Sequence, residues 1–169
     1  MDIIRGRRSI RLKGYDYHQP GSYFITICTH TRVNVFGDIT NDTMILNAIG
    51  NMVSEIWQQI PDRYSGVDID SFVVMPNHIH GIVVIDGNGR PQRVAPTLSL
   101  PDIVHRFKSI TTRRYADGVE KLDWPPFAGR LWQRNYYEHI VRDDTELNII
   151  REYISCNPAN WEKDEEYTP

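Results

Sequence analysis

The chain has few cysteines, no long apolar run and no strong bias of charge. Two cysteines, Cys28 and Cys156, are too few for the disulfide framework of a small secreted domain. No stretch approaches the roughly 20 consecutive apolar residues of a membrane-spanning helix, and the N-terminal residues lack the apolar core of a signal peptide. These absences predict a cytoplasmic protein in a reducing compartment, with no membrane partner. A net charge of −3 gives no global sign of a nucleic-acid binder.

What is present is ordinary in bulk and uneven in detail. The 169 residues are 40% hydrophobic and 24% charged, which predicts one globular domain over 1–169. Arg5, Arg7, Arg8, Arg11 and Lys13 crowd a basic arm at 1–20, while Glu162, Asp164, Glu165 and Glu166 crowd an acidic tail at 159–169. Residues 86–98, with Gly87, Gly89, Pro91 and Pro96, read as a flexible loop inside the domain.

Periodicity predicts the elements. Tyr23 to His30 alternates as a strand behind Pro20-Gly21. Ile45, Leu46, Ile49, Val53, Ile56, Trp57 and Ile60 recur at helical spacing behind the capping candidates Asn41, Asp42 and Thr43, predicting a helix over 44–60. Val67 to Met75 and His78 to Ile85 read as a hairpin about Pro76-Asn77. Ser99 opens a second helix with Ile103, Val104, Phe107 and Ile110 on one side and Arg106, Lys108, Arg113 and Arg114 on the other. Leu131 to Val141 reads as a fourth strand, and Asp143 to Glu146 caps a last helix stopped by Pro158. The order is that of a ferredoxin-like βαββαβ domain, class α+β. It has a four-stranded antiparallel sheet, helices on one face and a further C-terminal helix.

Chemistry concentrates in two places. In Met75-Pro76-Asn77-His78-Ile79-His80-Gly81 the histidines are two apart, so both imidazoles project from one face of the strand and lead into Ile82 and Val84. They are either metal-capable groups or two half-exposed histidines at a strand end. On the last helix Tyr153 and Asn157 are four apart and share a side. A Tyr phenol facing a metal is a nucleophile candidate, and an Asn one turn on could offer it a neutral oxygen. The alternative is an interfacial aromatic and a helix C-terminal residue before proline.

These segments together resemble the REP-associated tyrosine transposases, bacterial relatives of the single-tyrosine HUH transposases of the IS200-like superfamily. The likeness is carried by Lys13-Gly14-Tyr15-Asp16-Tyr17, Pro20-Gly21-Ser22-Tyr23-Phe24-Ile25-Thr26, the His78/His80 signature, Trp132-Gln133-Arg134-Asn135-Tyr136-Tyr137-Glu138-His139 and Glu152-Tyr153-Ile154-Ser155-Cys156-Asn157-Pro158. It implies that His78, His80 and Asn157 hold Mg²⁺ or Mn²⁺ and that Tyr153 is the nucleophile. Ligand softness favours Mn²⁺ at a two-imidazole site. The implied reaction is transesterification of single-stranded DNA through a 5′-phosphotyrosine, on REP-type hairpins, by a monomer or homodimer.

Phosphate contacts are expected from Arg5, Arg7, Arg8, Arg11, Arg106, Lys108, Arg113, Arg114 and Arg134, the last in a stretch where aromatics and arginines interleave. Tyr136 and Tyr137 are rival nucleophiles, ranked below Tyr153 because neither has a ligand-type residue placed as Asn157 is. Two other functions fit parts of the pattern. A histidine-triad nucleotide hydrolase needs a third histidine where Ile82 stands. A hairpin-binding protein of the same fold without cleavage activity would keep the surface and lose the chemistry.

Overall fold

The structure is a computed structural model that describes residues 14–86 and 98–168. Arg5, Arg7, Arg8, Arg11 and most of the 86–98 loop lie outside the described residues. In chain order the elements are β1 (Gly21–Cys28), β2 (Gly37–Thr40), β3 (Thr43–Leu46), α1 (Ala48–Gln58), α2 (Ile60–Arg63), β4 (Val67–Val74), β5 (His78–Ile85), α3 (Leu100–Lys121), β6 (Tyr137–Val141) and α4 (Asp144–Cys156). A short 3₁₀ turn, Pro158–Lys163, follows.

The main sheet has the order β4-β5-β1-β6, all antiparallel, which is the expected ferredoxin-like arrangement. Side chains alternate across it. Tyr23, Ile25, Ile27, Ile79, Val83 and Ile85 point to the layer formed by α1 and α3. Phe24 and Ile82 point to the opposite face, where Ile150 and Ile154 of α4 cover them. His78 and His80 share the parity of Ile82 and therefore face α4.

Several boundaries differ from the sequence reading. The helix expected over 44–60 begins at Ala48, because residues Thr43–Leu46 form β3 of a separate β2–β3 hairpin. Asn41 and Asp42 are its turn, both at positive φ (48° and 59°), which suits these two residue types; they are not helix caps. The cap is Asn47, whose side chain accepts from the backbone N–H of Ile49 and Gly50. The fourth strand of the main sheet is shorter than 131–141, spanning only Tyr137–Val141; before it, Trp132 makes an isolated bridge with Thr29. The first strand ends at Cys28 instead of His30. The second helix starts as expected, with a capping box between Ser99 and Asp102.

Gly81 lets the sheet approach α1. A Cβ at this position would overlap the Trp57 ring. Gly81→Ala therefore overpacks a filled contact and should destabilise by about 1–3 kcal/mol, read as a lowered denaturant midpoint.

On the other face, α4 is tied to β4 by a bidentate pair. Arg151 Nε and Nη2 donate to the two Asp70 oxygens at 2.9 and 2.6 Å. The guanidinium holds the Asp70 carboxyl at about 2, below its ordinary 3.8. A depressed carboxylate stabilises the fold above its unfolded pKa, and that contribution is lost as pH falls through about 2. Arg151→Ala should lower the urea midpoint at pH 7. The gap from wild type should narrow as pH falls below 3.8 and close through about 2.

Candidate active site

The Pro76-Asn77 turn delivers both histidines into the interior, and each has its ring fixed by a neighbour. Asn77 Nδ2 donates to the Arg32 and Glu166 carbonyls at 3.2 and 2.8 Å, which leaves Asn77 Oδ1 as an acceptor for His78 Nδ1 at 2.9 Å. His78 therefore donates from Nδ1, so Nε2 is the ring nitrogen that could serve as a ligand. His80 Nδ1 lies 2.8 Å from Thr26 Oγ1, on the neighbouring strand. Both rings are fully buried, with centroids 4.3 Å apart. They are not half-exposed residues at a strand end.

Helix α4 brings its tyrosine to the same point. The Tyr153 hydroxyl lies 3.3 Å from His80 Nε2 and donates to Asp164 Oδ2 at 3.2 Å, and the ring stands edge-on to Phe24. Asn157, the C-cap of α4, is buried and donates from Nδ2 to Asp164 Oδ2 at 2.7 Å. Its Oδ1 is buried and accepts no hydrogen bond from the described residues. Two imidazoles and a buried amide oxygen, linked to them through Asp164, are donor types that fit a divalent cation.

The acidic tail contributes what sequence reasoning overlooked. Far from forming a solvated run, it folds back against the histidines. Trp161 packs its ring 5.9 Å from that of His78. Glu166 is buried and pairs with Arg32 at 2.8 Å, while Thr168 Oγ1 donates to the Arg32 carbonyl at 3.1 Å. Asp164 thereby sits with Oδ2 3.7 Å from His80 Nε2. Burial disfavours its charge, but hydrogen bonding with His80, the field of both histidines and the Asn157 amide outweigh that and hold the carboxyl well below the usual range. The donor atoms of His78, His80 and Asp164 all lie within 4.8 Å of one another, close enough for one metal ion. Trp161 and Tyr167, large aromatics inside a charged run, were the available sign that this tail is not simply solvated.

The model of the family described as "Transposase IS200 like" matches residues 18–157. The chain belongs to that family. A Haemophilus influenzae protein named only as uncharacterized is 42% identical, the match covering 97% of this chain and 94% of that protein. A second, from the same organism and named "Putative REP-associated tyrosine transposase", is 24% identical over 85% of this chain and 73% of its own length. Among solved structures, that of a REP-associated tyrosine transposase bound to a REP hairpin superposes with a TM-score of 0.54 at 18% identity, covering 86% of this chain and 71% of that one. At that identity the likeness concerns the fold.

The remaining expected site residues of this IS200-like chain are spread more widely. Tyr136 is buried in the α1/α3 layer, beneath the Lys108 ammonium at 5.4 Å. Tyr137 pairs in register with Thr26 and packs against Phe24, on the histidine face. Lys108 donates to the carbonyls of Gln133, Arg134 and Asn135 at 3.0–3.3 Å, so its charge holds the 133–135 segment in place. Arg106 lies over the Tyr64 ring at 5.4 Å; it, Arg113, Arg114 and Arg134 are exposed. The first three sit on α3, across the sheet from the histidines. No helix among the described residues is long and apolar enough to cross a membrane.

Proposed function

We propose that this chain is a metal-dependent single-stranded DNA endonuclease and strand transferase that acts on REP-type hairpins through a 5′-phosphotyrosine. The observation that carries this reading is the Tyr153 hydroxyl 3.3 Å from His80 Nε2, on a face where His78 and His80 stand together. The family and the hairpin-bound neighbour of the same fold support it.

In this reading His78, His80 and Asn157 hold Mn²⁺ or Mg²⁺. When bound, the ion supplies Lewis acidity that polarises the phosphodiester and offsets its charge. The packing of Tyr153 between Phe24 and His80 points its oxygen at the histidine pair and limits rotation. Tyr153 Oη attacks phosphorus, forming one P–O bond. The bond to the 3′ oxygen breaks, and the phenol proton ends on the released 3′-hydroxyl. One phosphoester replaces another, so the same hydroxyl, or a different one, reverses the step without an energy source.

A labelled hairpin with a single-stranded extension tests this. Wild-type protein with Mn²⁺ should give a slow covalent band on a denaturing gel, and a chelator should abolish it. Hairpin binding with no such band at any Mn²⁺ concentration makes the chain a binding protein of this fold.

The exposed arginines would serve as phosphate contacts for the hairpin in the cytoplasm. Replacing Arg106, Arg113 and Arg114 together with Gln should lessen the slope of log affinity against log salt by about 2 to 3, since each phosphate left without its arginine lowers the slope by about 0.7–0.9. An unchanged slope would remove α3 from the DNA surface.

A further inference from the structure

We infer that Asp164, carried by the C-terminal segment, is itself a ligand of the cation held by His78 and His80, so that this segment is a wall of the active site. The inference rests on reading the histidine pair as a metal centre, and extends it to a residue outside the stretch matched by the family model.

The first argument is charge balance. Two other buried or half-buried acids have an arginine at hydrogen-bond distance: Arg151 for Asp70 at 2.6 Å and Arg32 for Glu166 at 2.8 Å. The Asp164 side chain is 1% exposed, yet among the described residues its ionic partner is the His80 imidazole at 3.7 Å. Its other contacts are neutral: the Tyr153 hydroxyl, the Asn157 amide and the Glu166 backbone N–H. Burial opposes the carboxylate's charge, and the imidazole at 3.7 Å and these hydrogen bonds meet it without an arginine or lysine. A divalent cation between the imidazoles and the carboxylate would add the full positive charge that arginines supply to Asp70 and Glu166.

Geometry agrees. Donors about 2.1 Å from a small divalent ion are separated by about 3 Å when adjacent and about 4.2 Å when opposite. The His78, His80 and Asp164 donor atoms fall within 4.8 Å, so a small inward shift closes the set. The orphan Asn157 Oδ1 is available as a further neutral donor, while Asn157 Nδ2 orients the carboxylate. Nor is Asp164 there by chance of a loose end. The segment is fixed by the Asn77–Glu166, Arg32–Glu166 and Thr168–Arg32 contacts and by Trp161 against His78. Two imidazoles and one carboxylate suit Mn²⁺ better than two imidazoles and an amide, since the anion matches a hard divalent ion.

The test is Mn²⁺ binding by the full chain without DNA, followed by the paramagnetic signal of free Mn²⁺. Changing residues that merely support a metal's ligands already costs about 10–100-fold in affinity, so Asp164→Asn should weaken binding at least about tenfold. Glu162→Gln, an exposed acid of the same segment, should leave it unchanged. Equal losses in both would mean bulk charge and overturn the assignment. Wild-type affinity in Asp164→Asn with binding lost in His78→Ala would keep the histidine centre and reject Asp164. No Mn²⁺ binding by wild type would reject both. Should Asp164→Asn fail to fold, wild-type protein labelled with ¹³C-aspartate decides: electron–nuclear double resonance should show a ligating carboxylate carbon coupled to Mn²⁺, and its absence overturns the proposal.

Discussion

Tyr153→Phe is expected to abolish the covalent protein–DNA adduct, with cleavage falling by roughly 10⁴-fold or more, as for other enzymes stripped of their nucleophile. Hairpin affinity should stay near wild type. The substitution removes one oxygen and keeps the ring that packs edge-on to Phe24 and against His80. Loss of the hydroxyl's bonds to Asp164 and His80 should cost folding only about 1 kcal/mol. Tyr136→Phe and Tyr137→Phe complete the experiment. Tyr136 lies in the opposite layer and has no access to the histidines, whereas Tyr137 shares their face. An adduct that survives Tyr153→Phe but vanishes with Tyr137→Phe would move the nucleophile to β6.

The second large effect is expected from the histidines. His80→Ala and His78→Ala should each bring metal-dependent cleavage to background, because each removes a buried imidazole that no neighbouring side chain can replace. Hairpin binding should fall little. Each also leaves a cavity in a fully buried position, so unfolding midpoints must be checked beside activity. A graded companion is Thr26→Val, which keeps His80 but frees its ring from the bond at Nδ1. Metal affinity should fall about 10–100-fold, with partial recovery of cleavage at high Mn²⁺. Full cleavage by His78→Ala in the presence of a chelator would refute the metal reading outright.

Local rules determined a good part of this protein. The two-residue period of a strand placed His78 and His80 on one face, and the 3.6-residue period of a helix placed Tyr153 and Asn157 on one side. Ser99 marked the start of α3, and the strand–helix order implied the ferredoxin-like sheet. Each follows from contacts within a few residues, which is the range over which sequence acts directly. Tertiary structure decided the rest. Asn41 and Asp42 suit a helix cap as well as a turn at positive φ, and the packing of a β2–β3 hairpin selected the turn. Lys108 had the appearance of a phosphate contact until the 133–135 carbonyls closed around it. Asp164 belonged to a run of acids that by composition should stay in water. It is buried because Trp161 covers His78 and Arg32 and Asn77 grip Glu166, partners 83 to 134 positions away. Contacts at that separation depend on where the chain has already folded, and no local pattern encodes them.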